Sequence, residues 1–311
     1  MEKVDLLKQQ QNFLKNLESA GKSFNTVKNY RTDLNIFNKY LQQKGRSLVL
    51  GEVTQSQTNE YQNFLEKKYN SPNSIRRRVQ ALRIFFDYLI EQNLIDYNPI
   101  KKMVVSPKVV DLPKPVPFPK IQQLKHYLVT TKNSETGHAK LLASRNIVLF
   151  YLIYGAGLKV SHIEKLNQAH ITKSKNQYRV LIAAEKKDPF TVVLPTEFNE
   201  AYEEYLELLE AGKQRDNISF QNLLFNANPF KILKGGLSAR GIEVLFKDFT
   251  EKLNFEVTAR SLRQACIFKW LAAGVPLSRI KEWMGVQPQY SLKPFETLMK
   301  ERPDEYAFLD I

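Results

Sequence analysis

The sequence predicts a mainly helical protein of two domains joined by an extended linker, on three observations. Apolar residues recur at intervals of three and four through most of residues 1–100. Across 101–120 prolines and lysines alternate, a composition that favours extended backbone. From 121 to 311 helical periodicity resumes around two β-branched runs, so the second domain is mixed α/β and mostly helical. A chain of 311 residues is long enough for each domain to bury its own core.

In the first domain, Val27, Tyr30, Leu34, Phe37, Tyr40 and Leu41 form the apolar stripe of a helix from Phe24 to Leu41. Its opposite face carries Lys28, Asn29, Arg31 and Asn35, side chains suited to a nucleic acid. A second helix is expected from Gln55 to Lys68. The turn at Asn70-Ser-Pro-Asn-Ser then starts a third, capped by Asn73 or Ser74 and running to Gln92. Its core stripe is Ile75, Val79, Leu82, Phe86 and Leu89, and off that stripe stand Arg76, Arg77 and Arg78, with Arg83 two turns on.

The linker places Pro107, Pro113, Pro115, Pro117 and Pro119 among Lys101, Lys102, Lys108, Lys114 and Lys120. At about 3.1 Å per residue such a segment spans tens of ångströms. A helical stretch follows from Ile121, then a loop from Thr130 to Gly137, then an apolar helix from Arg145 to Tyr154 closing at Gly155-Ala-Gly157. Tyr178–Ile182 and Thr191–Leu194 read as a hairpin around Lys186-Lys-Asp-Pro189. Helices are expected from Glu197 to Leu209 and from Ser238 to Leu253.

The stretch from Val257 to Cys266 sets Arg260 and Arg263 three residues apart, on one side of a helix whose inner face is Leu262, Ala265 and Cys266. That helix runs from Ser261 to Ala273 and stops at Gly274. The next opens near Pro276, carries Leu277, Ile280 and Met284 as its apolar stripe, and stops at Gly285. Guanidinium forks hold phosphate. With 46 basic against 32 acidic side chains the net charge is +14, which points to a polyanion as partner. One cysteine excludes an internal disulfide, and the four histidines show no metal spacing, so no cofactor and no metal are expected. No apolar run approaches a membrane span, and the N-terminus is not a signal peptide. A cytoplasmic, nucleoid-associated protein without a membrane partner is the expectation.

The order of arginine pair, helix, Ala-Gly-Val-Pro, helix and Met-Gly resembles the C-terminal signature of the tyrosine recombinase (phage integrase) family. Leu158-Lys-Val-Ser-His-Ile-Glu-Lys-Leu166 resembles that family's first active-site box, and Leu237 to Phe249 its preceding helix. Ser74 to Leu89, ending in Tyr97-Asn-Pro99, looks like the family's core-binding domain. The resemblance implies a SAM-like helical domain that clamps one side of a duplex and a C-terminal domain of the recombinase catalytic fold. It also implies site positions: Lys159 for the first catalytic Arg, Lys186 or Lys187 for the hairpin Lys, Arg260 for a His, Arg263 as the retained Arg, Val286 for a second His and Phe295 for the nucleophilic Tyr.

The resemblance implies a reaction in which a phenol attacks the phosphodiester while cationic donors stabilise the charge that develops. Phe295 has no oxygen and Val286 no donor, which leads to the expectation of a catalytically inactive protein. Lys28, Arg31, Arg76, Arg77, Arg78, Lys159, Lys186, Arg260 and Arg263 are then expected to bind double-stranded DNA, on which copies of the chain self-associate. The leading expectation is a sequence-specific repressor, similar to the recombinase-fold lysogeny repressors of SPβ-like temperate phages. The alternatives are a site-specific recombinase with Tyr290 as displaced nucleophile, and an accessory protein beside an active recombinase.

Overall fold

The computed structural model describes residues 4–103, 112–184, 187–227 and 232–301. The chain divides into two compact units, 1–111 and 112–311. Residues 104–111 of the expected linker, with Pro107 and Lys108, lie outside the described residues. Of the rest of that stretch, Met103 is buried in the core of the first unit and Val116 in that of the second.

Among the described residues the first unit is built on four α-helices, with a short 3-10 turn at Leu50–Glu52. α1, Leu6–Ser19, starts at Asp5, whose carboxylate accepts the Leu7 and Lys8 amides. α2, Phe24–Gln43, is capped by Ser23, and α3, Gln55–Lys68, by a reciprocal Thr54–Gln57 capping box. α4 runs Pro72–Glu91. Its cap is Ser71, not Asn73 or Ser74 as expected, because Pro72 already fits the first helical position, where no amide hydrogen is needed. Phe13, Phe37, Tyr61, Phe85 and Phe86 fill the centre, with Phe37 and Tyr61 edge to face at 5.0 Å. Gln10 and Asn38 exchange two amide hydrogen bonds of 2.8 and 2.7 Å inside this core, pinning α1 to α2 without a buried unmet donor.

In the second unit α5, Phe118–Ser134, takes in Thr130 to Ser134, where a loop was expected. That segment has no glycine or proline to stop the helix before Gly137. α6, Gly137–Phe150, runs into a single π turn at Tyr151–Gly155, where the Ala156 amide reaches back five residues to Tyr151 O at 3.0 Å. Gly157 then reverses the chain at φ +63°, and an added Cβ there would meet the Trp270 ring at 2.5 Å. α7 is the short Val160–Ile163.

The expected hairpin is β2, Gln177–Ala184, paired with β3, Lys187–Val193. Antiparallel β1, Ile171–Ser174, adds a third strand on the other side of β2, with Ile171 opposite Val180. α8, Phe198–Asp216, ends at Asn217 in the left-handed region. A small pair, β4 (Phe225–Ala227) and β5 (Leu233–Gly235), leads to α9, Ala239–Leu253, with Ser238 as cap. α10 (Ala259–Ala272), α11 (Leu277–Trp283) and α12 (Lys293–Glu301) follow. Leu277, assigned to the apolar stripe from its spacing, is 40% exposed; α11 is too short for its first turn to reach the core that Ile280 and Met284 enter. Among the described residues no helix is long and apolar enough to cross a membrane.

Candidate nucleic-acid interface

In the second unit the site is built around the start of α10. Thr258 Oγ1 accepts the Ser261 amide at 3.0 Å while Ser261 Oγ accepts the Thr258 amide at 2.9 Å, which fixes the first turn. Arg260 is exposed on that turn. Arg263, one turn on, does not simply face outward with it. Its Nε donates to Gly157 O at 2.6 Å and an Nη to Met284 O at 3.1 Å, tying the reverse turn after α6 to the end of α11. Burial lowers the pKa of this guanidinium, with Cys266 and Tyr290 nearby opposing the shift. An arginine starts high enough to stay charged regardless.

Lys159, half-buried, stands at the N-cap of α7, two residues beyond the carbonyl that Arg263 grips. Gly285 closes α11 at φ +59°; a Cβ there would lie 3.0 Å from the Phe190 ring and 3.5 Å from His162 Cε1, so β3, α7 and this turn pack tightly. Val286 is half-buried and, with Asp188, Phe190, Lys281 and Glu282, lines an open groove of about 940 Å³. Phe295 is 6% exposed and lies 5.5 Å from Phe268, part of the core. Tyr290 is 42% exposed, on the turn between α11 and α12. Lys186 lies outside the described residues; Lys187 begins β3 opposite Ala184.

In the first unit Lys28, Asn29, Arg31 and Asn35 all lie on the exposed face of α2. Arg31 reaches Glu18 at 3.7 Å with both side chains more than half exposed, a contact too solvated to hold it. The three arginines of α4 separate. Arg76 is half-buried and Arg77 exposed, but Arg78 turns inward, only 9% exposed. Its guanidinium stacks 3.7 Å from the Tyr69 ring centre and donates to Ser74 O at 2.7 Å. The expected place of Arg78 on the DNA-facing side is therefore corrected: helical rotation carries it past the exposed arc that Arg77 occupies. Sequence reasoning missed Asp33. It is 1% exposed on α2, and its Oδ1 accepts an Nη of Arg77 at 2.9 Å while Arg78 Nε stands 3.9 Å away. Asp33, Arg76 and Arg77 share a groove of about 510 Å³ between α2 and α4 with Asn29, Tyr30 and Gln80.

A family model described as the phage integrase SAM-like domain matches residues 5–105. The chain is 26% identical over 267 residues to the tyrosine recombinase XerC of Herpetosiphon aurantiacus, covering 85% of this chain and 82% of that one. It is equally similar, at 26% over 285 residues, to the XerC of Pediococcus pentosaceus, covering 90% and 89%. Among solved structures, the XerH site-specific recombinase bound to palindromic difH substrate in its post-cleavage complex superposes with a TM-score of 0.71. That alignment is 16% identical and covers 96% of this chain and 83% of that one. A lambda integrase dimer bound to a COC' core site gives 0.68 at 13% identity, covering 99% and 81%.

A helical SAM-like unit followed by a mostly helical unit carrying a three-stranded sheet is the tyrosine recombinase fold. Residues 5–105 match the phage integrase SAM-like domain, and the chain is similar along most of its length to tyrosine recombinases. The expectation of a catalytically inactive protein is overturned here. The relatives that align along most of their length are named tyrosine recombinases.

Proposed function

We propose that the chain binds a specific sequence of duplex DNA and, by occupying it, represses transcription. The observation that carries the reading is Arg263, held in fixed geometry by two backbone carbonyls beside exposed Arg260, a cationic corner suited to one backbone phosphate. The first unit contributes the exposed faces of α2 and α4, with Lys28, Arg31, Arg76 and Arg77, and base contacts there supply sequence preference. The net charge of +14 supports the same partner. Lys186 or Lys187, adjacent in the sequence between the two β-branched runs, is proposed as a further phosphate contact.

The test selects bound duplexes from genomic fragments and maps the enriched site against promoters. Each neutralised phosphate contributes about −0.9 to the slope of log K against log salt, so a slope of several units is expected. A flat slope, or enriched sites unrelated to promoters together with an unrepressed reporter, would count against the reading.

A second reading is strand exchange with Tyr290 as nucleophile. It is favoured by the exposure of that phenol close enough to Arg263 to act on its charge, and by the relatives' names. A covalent protein adduct on nicked, labelled target DNA that disappears in Tyr290→Phe would establish it.

A further inference from the structure

We infer that Asp33 is a positioning residue that aims Arg77 at the edge of a guanine, so that this buried carboxylate sets preference at one base pair of the bound site. The inference rests on the DNA-binding reading above and goes further by naming the base and the device that selects it.

Asp33 is hard to explain by stability. A carboxylate 1% exposed loses its hydration, and its partners repay that only in part. Its Oδ1 meets Arg77, but its Oδ2 is buried without a hydrogen bond, and Arg78 Nε at 3.9 Å lies beyond hydrogen-bond range. Replacing such a buried ionic group with an apolar side chain of similar size is often neutral or stabilising. What Asp33 does achieve is geometric. Arg77 and Arg78 are consecutive on α4, yet only Arg78 is packed, by the Tyr69 ring and Ser74 O. Arg77 has a side chain 42% exposed and a long flexible stem, and its Nη2 is fixed at 2.9 Å on a carboxylate that cannot itself move to solvent.

A guanidinium carries five N–H donors on one plane. Spending one on Asp33 sets the plane and leaves the outward edge to donate two parallel bonds. Guanine is the base that presents two adjacent acceptors, O6 and N7, in the major groove, and arginine is their commonest bidentate partner. The carboxylate also offsets part of the charge of Arg77, which suits an arginine that reads a base more than one that binds phosphate. The neighbouring side chains in the groove fit the same surface: Asn29 and Gln80 are amides able to pair with adenine edges.

The experiment uses the full chain and a duplex library randomised at every position, with binding to the unselected library measured in parallel. Wild type is expected to enrich a site with guanine at a position that Arg77→Ala no longer discriminates. Asp33→Asn is expected to lose about tenfold or more in preference at that position and at no other, the lower range of one bidentate base contact. Arg77→Lys, on an exposed position, keeps the charge and loses the fork. It should lose far more affinity for the selected site than for the unselected library, and it decides the question if Asp33→Asn fails to fold. Adding Asp33→Asn to Arg77→Lys should then change the preference no further. The inference is overturned if a site is selected but Arg77→Lys retains its full preference, or if folded Asp33→Asn does. If wild type binds no duplex at all, it is the DNA-binding reading that fails.

Discussion

Arg77 in the first unit and Arg263 in the second are both half-immobilised guanidinium groups, held by opposite means. A buried carboxylate grips Arg77, whereas two backbone carbonyls grip Arg263 and no carboxylate among the described residues does. A carboxylate partner cancels charge and fixes direction. Neutral dipoles fix direction and leave the whole charge to act outward. The first arrangement suits recognition by geometry and the second suits attraction of an anion, a division of labour that the proposed DNA-binding function would use.

Arg263→Ala should break this comparison most visibly. It removes two charge-assisted hydrogen bonds, each worth about 1.5–3 kcal/mol, and leaves Gly157 O and Met284 O without a donor. Thermal unfolding of the second unit should fall by several degrees, and affinity for duplex should drop about a hundredfold in fluorescence anisotropy. Arg263→Lys should rescue little, because one ammonium cannot span both carbonyls. A lysine variant indistinguishable from wild type would show that charge alone matters there.

Arg77→Ala should give a smaller effect, and one confined to the first unit. It leaves Asp33 buried with Arg78 alone as a nearby cation, and because Arg77 is 42% exposed the loss in denaturant unfolding of that unit should stay below the roughly 3–5 kcal/mol of breaking a fully buried pair. Combining it with Asp33→Asn should restore part of the loss. If the double variant is less stable than either single one, the carboxylate is serving the core and not the arginine.

The smallest expected effect is in pH. Burial pushes the Asp33 carboxyl above its usual range despite the opposing pull of Arg77 and Arg78. A pKa higher in the folded chain than in the unfolded one means that the fold favours the protonated form. The contribution of Asp33 to stability is therefore complete below the ordinary carboxylate value near 4 and declines as pH rises through the raised value. The stability of wild type relative to Asp33→Asn should fall over that interval, measured by thermal unfolding of both. No such decline should attend Arg263, whose anchoring carbonyls do not titrate.

Local features of the fold were largely legible in the sequence. α3 lies at Gln55–Lys68 as its pattern indicates, and the β-branched runs pair as β2 and β3. The misses share a physical cause. The inward turn of Arg78 depends on the Tyr69 ring and on Asp33, the latter 45 positions earlier, and no local rule couples those residues. β1 is four residues, too short to show alternation, and becomes a strand by pairing with β2. At the second site the approach of Gly157 and Met284 to Arg263 joins three segments separated by turns, so the sequence showed the arginine but not what holds it. The burial of Phe295 comes from packing α12 against Phe268, which periodicity in a nine-residue helix signals only weakly.

The π turn at Tyr151–Gly155 has a consequence for how this scaffold can change. One residue advances an α-helix by about 100°, so a π turn amounts to a single inserted residue absorbed without breaking the rod. It sets the rotational phase at which the chain leaves α6, and with it the direction in which the Gly157 carbonyl points. Deleting one residue from Tyr151–Gly155 would let the helix run on regularly while swinging that carbonyl about a quarter turn away from Arg263. The length of this segment is therefore one of the features that keep the Gly157 carbonyl aimed at Arg263.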